Sequence, residues 1–195
     1  MKNSSTLIIA EAGVNHNGNM MQAKKLIEVA SEAGADFVKF QTFKADNLVS
    51  RNAEKADYQK GNTDIDESHY EMIKRLELSY DEHVELIQYS KECEIGFLST
   101  PFDIESIDLL LDLNLDILKI PSSEITNLPY LRYIASTEKS IIMSTGMSNL
   151  DEVRDALMIL LNGGINRKKI TLLHCNTEYP TPIEDVNLKG MHTML

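Results

Sequence analysis

The sequence predicts an α/β protein, and within that class an incomplete (β/α)8 TIM barrel of about six βα units. Short apolar segments of strand-like composition alternate with helical segments along the 195 residues. Each predicted strand ends in a cluster of polar residues. No GxGxxG sequence follows the first strand, so the strongest signal of a dinucleotide-binding sheet is missing.

The N-terminal half contains three of the predicted strands. The first, about Leu7 to Glu11, is apolar and β-favouring, and it leads into a turn in which Asn17 and the glycines accept a positive φ. Asn17 is also a candidate cap for the helix that follows. A polar insertion from Thr42 to about Glu67 is typical of a functional or mobile connection. The other predicted elements are helix 20–33 ended by Gly34, strand 37–41, helices 68–76 and 80–94, and strand 95–99.

The C-terminal half repeats the same alternation three more times. Asn149 or Ser148 is predicted to cap one of its helices, and Gly163 with Gly164 ends that helix. A last helix is predicted to begin near Asp185. The remaining predicted elements are strands 117–120, 140–144 and 170–174 and helices 104–113, 128–136 and 149–161.

The strands are almost continuously apolar, which indicates a parallel sheet covered by helices. Two architectures fit this pattern, an open doubly wound sheet and most of a (β/α)8 barrel. In a doubly wound sheet, the polar strand ends concentrate near one switch point, whereas a barrel uses all of them. Since every strand ends in polar residues, the pattern favours the barrel. We also expect one domain spanning residues 1–195.

Composition excludes several function classes. The net charge of −11 argues against nucleic acid or an anionic membrane as the main partner. No apolar run is long enough for a membrane span, and the N-terminus is too quickly polar for a signal peptide. Cys93 and Cys175 are far apart and outside any CxxC, which favours a reducing cytoplasm. Both cysteines are expected to be inert packing residues, with Cys175 buried.

The polar residues at the strand ends are the candidate site residues. Lys39 and Lys119 stand inside apolar strands, where a lysine is costly unless it is paired or binds an anion. One lysine alone would be read as an ion pair or an edge residue. Two lysines beside serines and threonines favour an anion pocket. The set comprises Glu11, Lys39, Gln41, Ser99, Thr100, Lys119, Ser122, Ser123, Glu124, Ser144, Thr145, His174, Asn176, Thr177 and Tyr179.

Two carboxylates belong to this set, Glu11 and Glu124, and a barrel would turn both toward one mouth. One could bind a sugar hydroxyl, while the other handles a proton or positions a metal-bound water. Either could instead form a structural pair with a lysine. His16 and His174 do not make a metal site by themselves, because a single histidine at a strand end is more often a hydrogen-bonded core residue. We interpret His16 as a residue that shapes its turn.

Six segments at these strand ends resemble the N-acetylneuraminate (sialic acid) synthase family. They run in order over nearly the whole chain, and the most specific are HCNTEYPTP and the combination of KFQTF with STPFD. The legionaminic acid synthases are very similar in these motifs. The six segments are AEAGVNHNG, VKFQTFKADNL, LSTPFD, LKIPSSEITNLPYL, STGM and LLHCNTEYPTPIEDVNL.

The resemblance implies a barrel enzyme that condenses phosphoenolpyruvate with N-acetylmannosamine in surface carbohydrate biosynthesis. C3 of phosphoenolpyruvate attacks the open-chain aldehyde, water adds at C2, and phosphate leaves by C–O cleavage. The family uses a divalent metal, Mn²⁺ or Mg²⁺, and is homodimeric. By position in the motifs, the residues that resemble the family's phosphoenolpyruvate contacts are Lys39, Thr100, Lys119, Ser122 and Ser144. Those that resemble its amino-sugar contacts are Glu11, Gln41 and Tyr179. Glu124 resembles its acid/base or water-positioning carboxylate. Asn176 and Thr177 fall where the family supplies one further polar contact.

The chain departs from the family pattern in two respects. The family has Ser-Gly-Glu where this chain has Ser122-Ser123-Glu124, so a side chain stands beside the proposed phosphate contact. The second departure is the absence of the Ser-Asp-His and Glu-Lys-His-Phe segments that carry the family's metal-binding histidines, and of its C-terminal antifreeze-like domain. His192 lies too early to replace them. We therefore expect the isolated 195-residue chain to be inactive or nearly so.

Two other hypotheses stay open at this point. The chain could be a truncated remnant that acts as an anion-binding or interaction domain. It could also belong to another phosphoenolpyruvate-condensing barrel that makes a ketodeoxy sugar acid phosphate. The HCNTEYPTP and NHNG signatures count against this last alternative.

Overall fold

The computed structural model describes residues 6–50, 68–178 and 180–194. The chain divides into two compact units, Met1–Ser99 and Thr100–Leu195, which are described separately. Each unit contains a three-stranded sheet with helices between successive strands. In the part of the chain that is described, no helix is both long and apolar enough to cross a membrane.

The first unit has the strand order β1-β2-β3, and β1 pairs with β2 in parallel. Ile9, Ala10 and Glu11 lie opposite Phe37, Val38 and Lys39, and a bulge follows between Glu11 and Gly13. Its elements are β1 (Ile9–Gly13), α1 (Met20–Glu32), β2 (Phe37–Thr42), α2 (Ala45–Leu48), α3 (His69–Arg75), α4 (Tyr80–Glu92) and β3 (Gly96–Pro101), the last of which runs on to the first residues of the second unit.

The second unit has the order β4-β5-β6, with both pairs parallel. Short 3₁₀ helices at Ser122–Glu124, Arg167–Lys169 and Ile183–Asp185 interrupt its connections. Its other elements are β4 (Ile117–Ile120), α5 (Ile104–Asp112), α6 (Leu128–Ala135), β5 (Ser140–Ser144), α7 (Leu150–Asn162), β6 (Ile170–Leu173) and α8 (Gly190–Met194).

Alternating burial along β2 separates the two faces of the first sheet. Val38, Phe40 and Thr42 are buried, whereas Lys39 and Gln41 are partly exposed. Phe40 stacks on Phe97 of β3 with ring centroids 5.5 Å apart. Ile27 of α1 and Leu86 of α4 are fully buried as well. The face that carries Phe40 and Thr42 is therefore the face covered by helices, and the opposite face carries Lys39 and Gln41.

The second unit has a core of aliphatic residues. Leu118 and Ile120 of β4 and Ile141 and Met143 of β5 are at most 1% exposed. Leu131 and Ile134 of α6 are fully buried with them. Removing this much apolar surface from water is the main favourable contribution to folding of such a layer.

Four helices end in the same turn. After α1, α4, α5 and α7 the residue in the left-handed region is Gly34, Glu94, Asn114 or Gly164, with φ between 55° and 106°. In each turn, the next amide donates to the carbonyl five residues back, as Ile95 N–H does to Ser90 O at 3.0 Å. This pattern is the Schellman motif, which satisfies the last helical carbonyls and returns the chain to the next strand.

Most predicted elements are present, and the differences lie at their ends. β1 begins and ends two residues later than predicted, β3 extends to Pro101, and β6 stops before His174. The predicted end of α1 at Gly34 and the predicted cap of α7 at Asn149 are confirmed. The Asn149 N–H also donates a hydrogen bond to the Glu152 carboxylate.

Two predictions in the connections were wrong, and a third, the insertion after Thr42, falls mostly outside the described residues. The cap of α1 is Asn19, whose side chain accepts from Gln22 N–H, while Asn17 only supplies a positive φ of 52°. The insertion expected after Thr42 contains α2, and its residues 51–67 lie outside the described part of the chain. Near Asp185 the backbone forms a 3₁₀ turn, and the last helix begins at Gly190.

We expect Glu94→Gly to stabilise the protein. Glu94 is exposed and has a φ of 55°, where a side chain costs about 1–2 kcal/mol that glycine avoids, although glycine gains more entropy on unfolding. The net gain should be about 0.5–1 kcal/mol in the free energy of unfolding measured with urea.

The matched control is Glu92→Gly, two residues earlier on the same helix. Because Glu92 has right-handed helical geometry, this variant should lose about 1 kcal/mol. A loss of stability in Glu94→Gly comparable to that of the control would contradict the prediction.

Candidate active site

Glu11 and Lys39 form an ion pair within β1 and β2, two and three residues before the respective strand ends. The two residues are direct partners in the parallel register, so their side chains leave the same face of the sheet. The side chain of Lys39 is 11% exposed, and that of Glu11 is 52% exposed. The Lys39 ammonium group is thus nearly enclosed, whereas the Glu11 carboxylate reaches solvent. An ion pair between a carboxylate and a lysine is one of the two roles that the sequence left open for these residues, the other being contact with a substrate.

Gln41 joins this pair on the same face. The ideal Cβ position of Gly13 would lie 3.4 Å from Glu11 Oε1 and 3.7 Å from Gln41 Nε2. Gly13 has a φ of 54°, a conformation that favours glycine. Glu11, Lys39 and Gln41 therefore form a compact polar cluster around a glycine at the strand ends of the first unit.

His16 shapes the turn that follows β1, as its position suggested. It is fully buried, and its Nδ1 accepts a hydrogen bond from Gly18 N–H at 3.1 Å. A neutral ring then carries its proton on Nε2. That atom has no hydrogen-bond partner among the described residues. Burial lowers the pKa of His16, so the ring is neutral near pH 7.

The helix-covered face of the same strands contains a second polar cluster, made of Thr42, His83 and Ser99. All three side chains are at most 2% exposed. Thr42 Oγ1 lies 2.8 Å from His83 Nε2 and 2.6 Å from Ser99 Oγ, and His83 Nδ1 lies 2.8 Å from the carbonyl of Ser79. Burial lowers the pKa of His83, and Lys44 and His16 act in the same direction. His83 was not among the predicted site residues, because a single histidine on an apolar helix face is typical of a core residue.

Lys119 and Ser144 lie on one face of the second sheet. Lys119 is 7% exposed and is the register partner of Ile142, and Ser144, two residues along β5, is 8% exposed. Since residues two apart on a strand share a face, both polar side chains leave the same side of the β4–β5 pair. A buried ammonium group beside a hydroxyl is suited to bind a carboxylate or a phosphate.

Ser122 and Glu124 lie in the 3₁₀ helix that follows β4, and not on the strand itself. Both are half-buried, whereas Ser123 between them is exposed. Ser123 is not among the described residues with a positive φ, so its side chain is accommodated where the family pattern has glycine. Glu124 Oε2 accepts a hydrogen bond from Asn127 Nδ2 at 2.6 Å, which fixes the orientation of the carboxylate.

Asn176 and Thr177 follow β6 and have different local roles. Asn176 Oδ1 accepts from the backbone N–H groups of Thr177 and Glu178, at 2.6 and 3.0 Å. Its oxygen is therefore used to shape the loop, while the Thr177 side chain is exposed. Cys175 is exposed, so the expectation that it is buried was wrong. Tyr179 lies outside the described residues.

A cavity of about 520 Å³ opens at the carboxyl ends of β5 and β6. Its lining includes Thr145, Asn149, His174 and Asn176. Thr145 Oγ1 donates to Leu173 O at 2.8 Å, which ties the two strand ends together. Among the described residues that the sequence predicted as substrate contacts, Asn176 alone lines this cavity.

The described residues do not supply a metal site. Within residues 6–50, 68–178 and 180–194, no group of three or more His, Cys, Asp or Glu side chains is arranged to hold an ion. Mg²⁺ usually keeps several waters and is held by one or two carboxylates together with substrate phosphate. No metal ligands are assigned among the described residues, and no chemical step below uses a metal.

Comparison with known proteins identifies the family. Residues 26–195 match the profile of the NeuB family. This chain belongs to the NeuB family. It is 60% identical over 189 residues to the N,N'-diacetyllegionaminic acid synthase of Campylobacter jejuni, and the match covers 97% of this chain and 57% of that protein. The corresponding enzyme of Legionella pneumophila is 51% identical, with 96% and 53% covered.

A solved structure of the family agrees in fold. The N-acetylneuraminic acid (sialic acid) synthetase of Leptospira borgpetersenii, determined in complex with citrate, superposes with a TM-score of 0.82 at 29% identity. The match covers 97% of this chain and 61% of that protein. The chain spans about half the length of the curated relatives it matches. Membership of the NeuB family confirms the resemblance seen in the sequence.

We expect the free energy of unfolding to fall as the pH is lowered from 7.5 to 5.5. His16 and His83 have folded pKa values below the ordinary value of 6.5, so the unfolded chain takes up protons that the folded chain refuses. The stability that the two neutral rings contribute is fully present above pH 6.5 and is lost as the pH falls toward their pKa values in the folded protein. The slope should approach about 1.4 kcal/mol per pH unit for each histidine.

Urea unfolding at several pH values measures this slope. His83→Gln should flatten it, whereas His192→Gln, which removes an exposed ring, should leave it unchanged. The ordinary pKa values of aspartate and glutamate side chains lie below this pH window, so the window isolates histidine. A wild-type protein of constant stability between pH 7.5 and 5.5 would contradict the assignment of both rings as buried and neutral.

Proposed function

We propose that the protein containing this chain is a nonulosonate synthase that condenses phosphoenolpyruvate with an N-acylated amino sugar and releases phosphate. The observation that carries the proposal is the pair of nearly buried lysines, Lys39 and Lys119, each within a strand that leads into polar residues, in a chain of the NeuB family. An enol phosphate carries several negative charges, and buried cations are the groups that bind such a substrate.

We assign phosphoenolpyruvate contacts to Lys119, Ser122 and Ser144, and extend the assignment to Lys39 and Thr100. Lys119 and Ser144 share a face of their sheet, which supports a joint role toward one anion. Ser122 follows directly from β4, within the next turn. A charged donor with two hydroxyl groups matches the several oxygen acceptors of a phosphate or a carboxylate.

We assign the amino-sugar contacts to Glu11, Gln41 and Tyr179, with Asn176 or Thr177 as one further polar contact. The cluster of Glu11 and Gln41 around Gly13 supports this part of the proposal. A carboxylate accepts hydrogen bonds from sugar hydroxyls, and an amide both donates and accepts. The exposed side of Glu11 leaves an acceptor oxygen toward solvent while Lys39 holds the group in place.

Glu124 is proposed as the group that handles the proton or positions the attacking water. C3 of phosphoenolpyruvate forms a bond to the aldehyde carbon, and the aldehyde oxygen becomes a hydroxyl group by taking up a proton. Water adds to C2, its oxygen becomes the ketone oxygen, and the C–O bond to phosphate breaks. The hydrogen bond from Asn127 holds Glu124 in one orientation, as a general acid or base requires.

The sugar is proposed to carry two N-acetyl groups. The two relatives described above make N,N'-diacetyllegionaminic acid and are 60% and 51% identical. N-acetylmannosamine, the substrate implied by the sequence motifs, is the second candidate. It is supported by the similarity to the N-acetylneuraminic acid synthetase of Leptospira borgpetersenii, which is 29% identical. The greater similarity favours the diacetylated sugar.

A phosphate-release assay tests the activity of the full-length protein. Phosphoenolpyruvate and the correct amino sugar together should release phosphate, and neither should do so alone. With ¹⁸O in the bridging position of phosphoenolpyruvate, the label should appear in phosphate, because the C–O bond breaks. Binding of phosphoenolpyruvate without turnover on any sugar would favour the non-catalytic alternative. A product bearing its own phosphate would favour the ketodeoxy sugar acid phosphate alternative.

Lys119→Met should lower kcat/KM for phosphoenolpyruvate. Methionine fits the buried position, but the charge-assisted hydrogen bonds are lost. Their loss corresponds to about 1.5–3 kcal/mol, or roughly 10- to 150-fold. Steady-state kinetics at varied phosphoenolpyruvate measures the effect. Lys139→Met is the control, since Lys139 precedes β5 and pairs at 3.4 Å with the exposed Asp116. Equal kinetics for both variants would remove Lys119 from the site.

A further inference from the structure

The Thr42–His83–Ser99 cluster has one direction of hydrogen bonding when the ring is neutral. A backbone carbonyl can only accept, so His83 Nδ1 must donate to Ser79 O at 2.8 Å. A neutral ring then has an acceptor at Nε2, and Thr42 Oγ1 must donate to it at 2.8 Å. With its own proton used, Thr42 Oγ1 accepts from Ser99 Oγ–H at 2.6 Å. Each of the three polar side chains is satisfied by this arrangement.

The cluster joins three elements at the carboxyl edge of the first sheet. Thr42 is the last residue of β2, Ser99 lies near the end of β3, and His83 lies in the first turn and a half of α4. The helix end is itself fixed, because Ser79 and Glu82 form a reciprocal capping box. Phe97 packs against both the His83 ring and Phe40, with centroids 6.4 and 5.5 Å apart. The hydrogen bonds are therefore anchored to a rigid helix end and a packed aromatic pair.

Successive residues of a strand point to opposite faces. Gln41, which precedes Thr42, and Thr100, which follows Ser99, therefore leave the sheet on the side away from the cluster. Gln41 belongs to the cluster around Gly13 with Glu11. A displacement of the backbone at Thr42 or Ser99 would therefore move these neighbouring residues.

We infer that His83 is a positioning residue, which holds the ends of β2 and β3 through Thr42 and Ser99 and thereby places Gln41 and Thr100. This inference rests on the proposed function for its kinetic consequence. The buried hydrogen bonds are specific in geometry, so their loss should shift the strand ends without exposing the core. A displacement of about 1 Å at a reacting group can lower a rate by about 100-fold.

The surroundings of the ring determine its response to pH. Glu82 lies on the same helix, Lys44 follows β2, and His16 lies in the turn after β1. Protonation of His83 would turn Nε2 into a donor and reverse the direction of the two hydroxyl groups. Burial has the largest effect on the pKa of His83 and lowers it, as do Lys44 and His16, and together they outweigh the Ser79 carbonyl and Glu82, which raise it. The buried arrangement therefore accommodates the neutral ring.

The first test needs no activity and uses the full-length protein. A long-range ¹H–¹⁵N spectrum of the histidine side chains, assigned with His83→Gln, should show His83 protonated on Nδ1 and unprotonated on Nε2 at pH 7.5. A ring protonated on Nε2 would overturn the inference, because Thr42 could then not donate to it. This result does not depend on whether the protein is a synthase.

The second test is kinetic. Thr42→Val should lower kcat/KM by 10- to 100-fold and raise KM for the amino sugar, while Thr42→Ser, which keeps the hydroxyl group, should restore most of the loss. Ser90→Ala is the control, since Ser90 is fully buried on the same helix and its hydroxyl has no hydrogen-bond partner in the described part of the chain. It should have wild-type kinetics.

A double-mutant cycle separates positioning from general destabilisation. The double variant Thr42→Val/His83→Phe should have the same kcat/KM as the less active of the two single variants, because both substitutions remove the same hydrogen bond. The acid limb of the pH–rate profile should also shift in His83→Gln. If Thr42→Val does not fold, Ser99→Ala replaces it in the kinetic test, because it removes only the hydroxyl group that donates to Thr42.

The outcomes are distinguishable. A wild-type protein that releases no phosphate with any sugar contradicts the proposed function and leaves the spectroscopic test to decide the inference. An active wild-type protein in which folded Thr42→Val and Ser99→Ala have wild-type kinetics overturns the positioning role of His83.

Discussion

Parallel pairing of the strands is the constraint on which the arrangement of polar residues depends. A parallel strand must be reached by a crossover, and here helices supply the crossovers. All strands of one sheet then end at the same edge, and their last side chains lie close together. In β1 and β2 this places Glu11 directly opposite Lys39. In β4 and β5 it places Lys119 and Ser144 on one face, two residues apart along the strand direction.

The positions of the strands could be predicted because they are buried. Ile117–Ile120 and Ser140–Ser144 were predicted with their observed bounds, and both are apolar segments between polar turns. The observed bounds of a strand differ from the predicted ones where backbone hydrogen bonds, and not apolar residues, determine its end. The bulge between Glu11 and Gly13 carries β1 two residues further than its apolar run. The 3₁₀ turn at Ser122–Glu124 has no apolar periodicity, so hydrophobic patterning could not find it.

The site was predictable to the extent that it contains residues unusual for their place. A lysine within an apolar strand is such a residue, and both Lys39 and Lys119 are nearly buried. The pairing of Lys39 with Glu11 required the register of two strands, which no local pattern provides. His83 could not be recognised, because its partner Thr42 lies 41 residues away in the sequence and Thr42 is in turn hydrogen-bonded to Ser99, 57 residues further along the chain. Only folding brings these side chains together.

The repeated Schellman turn has a consequence for how sequences of this fold can diverge. Three helices, α1, α4 and α5, reach the following strand within three or four residues through a turn of fixed backbone conformation, whatever residue occupies the left-handed position. After α7 the same turn is separated from β6 by the 3₁₀ helix Arg167–Lys169. An insertion there would break two hydrogen bonds and change the angle at which the strand enters its sheet. The opposite edge has no common joint, and its connections range from a capped turn after β1 to a 3₁₀ helix after β4. Length variation, and with it new specificity, can therefore accumulate at one edge of each sheet while the other edge keeps the strands in register.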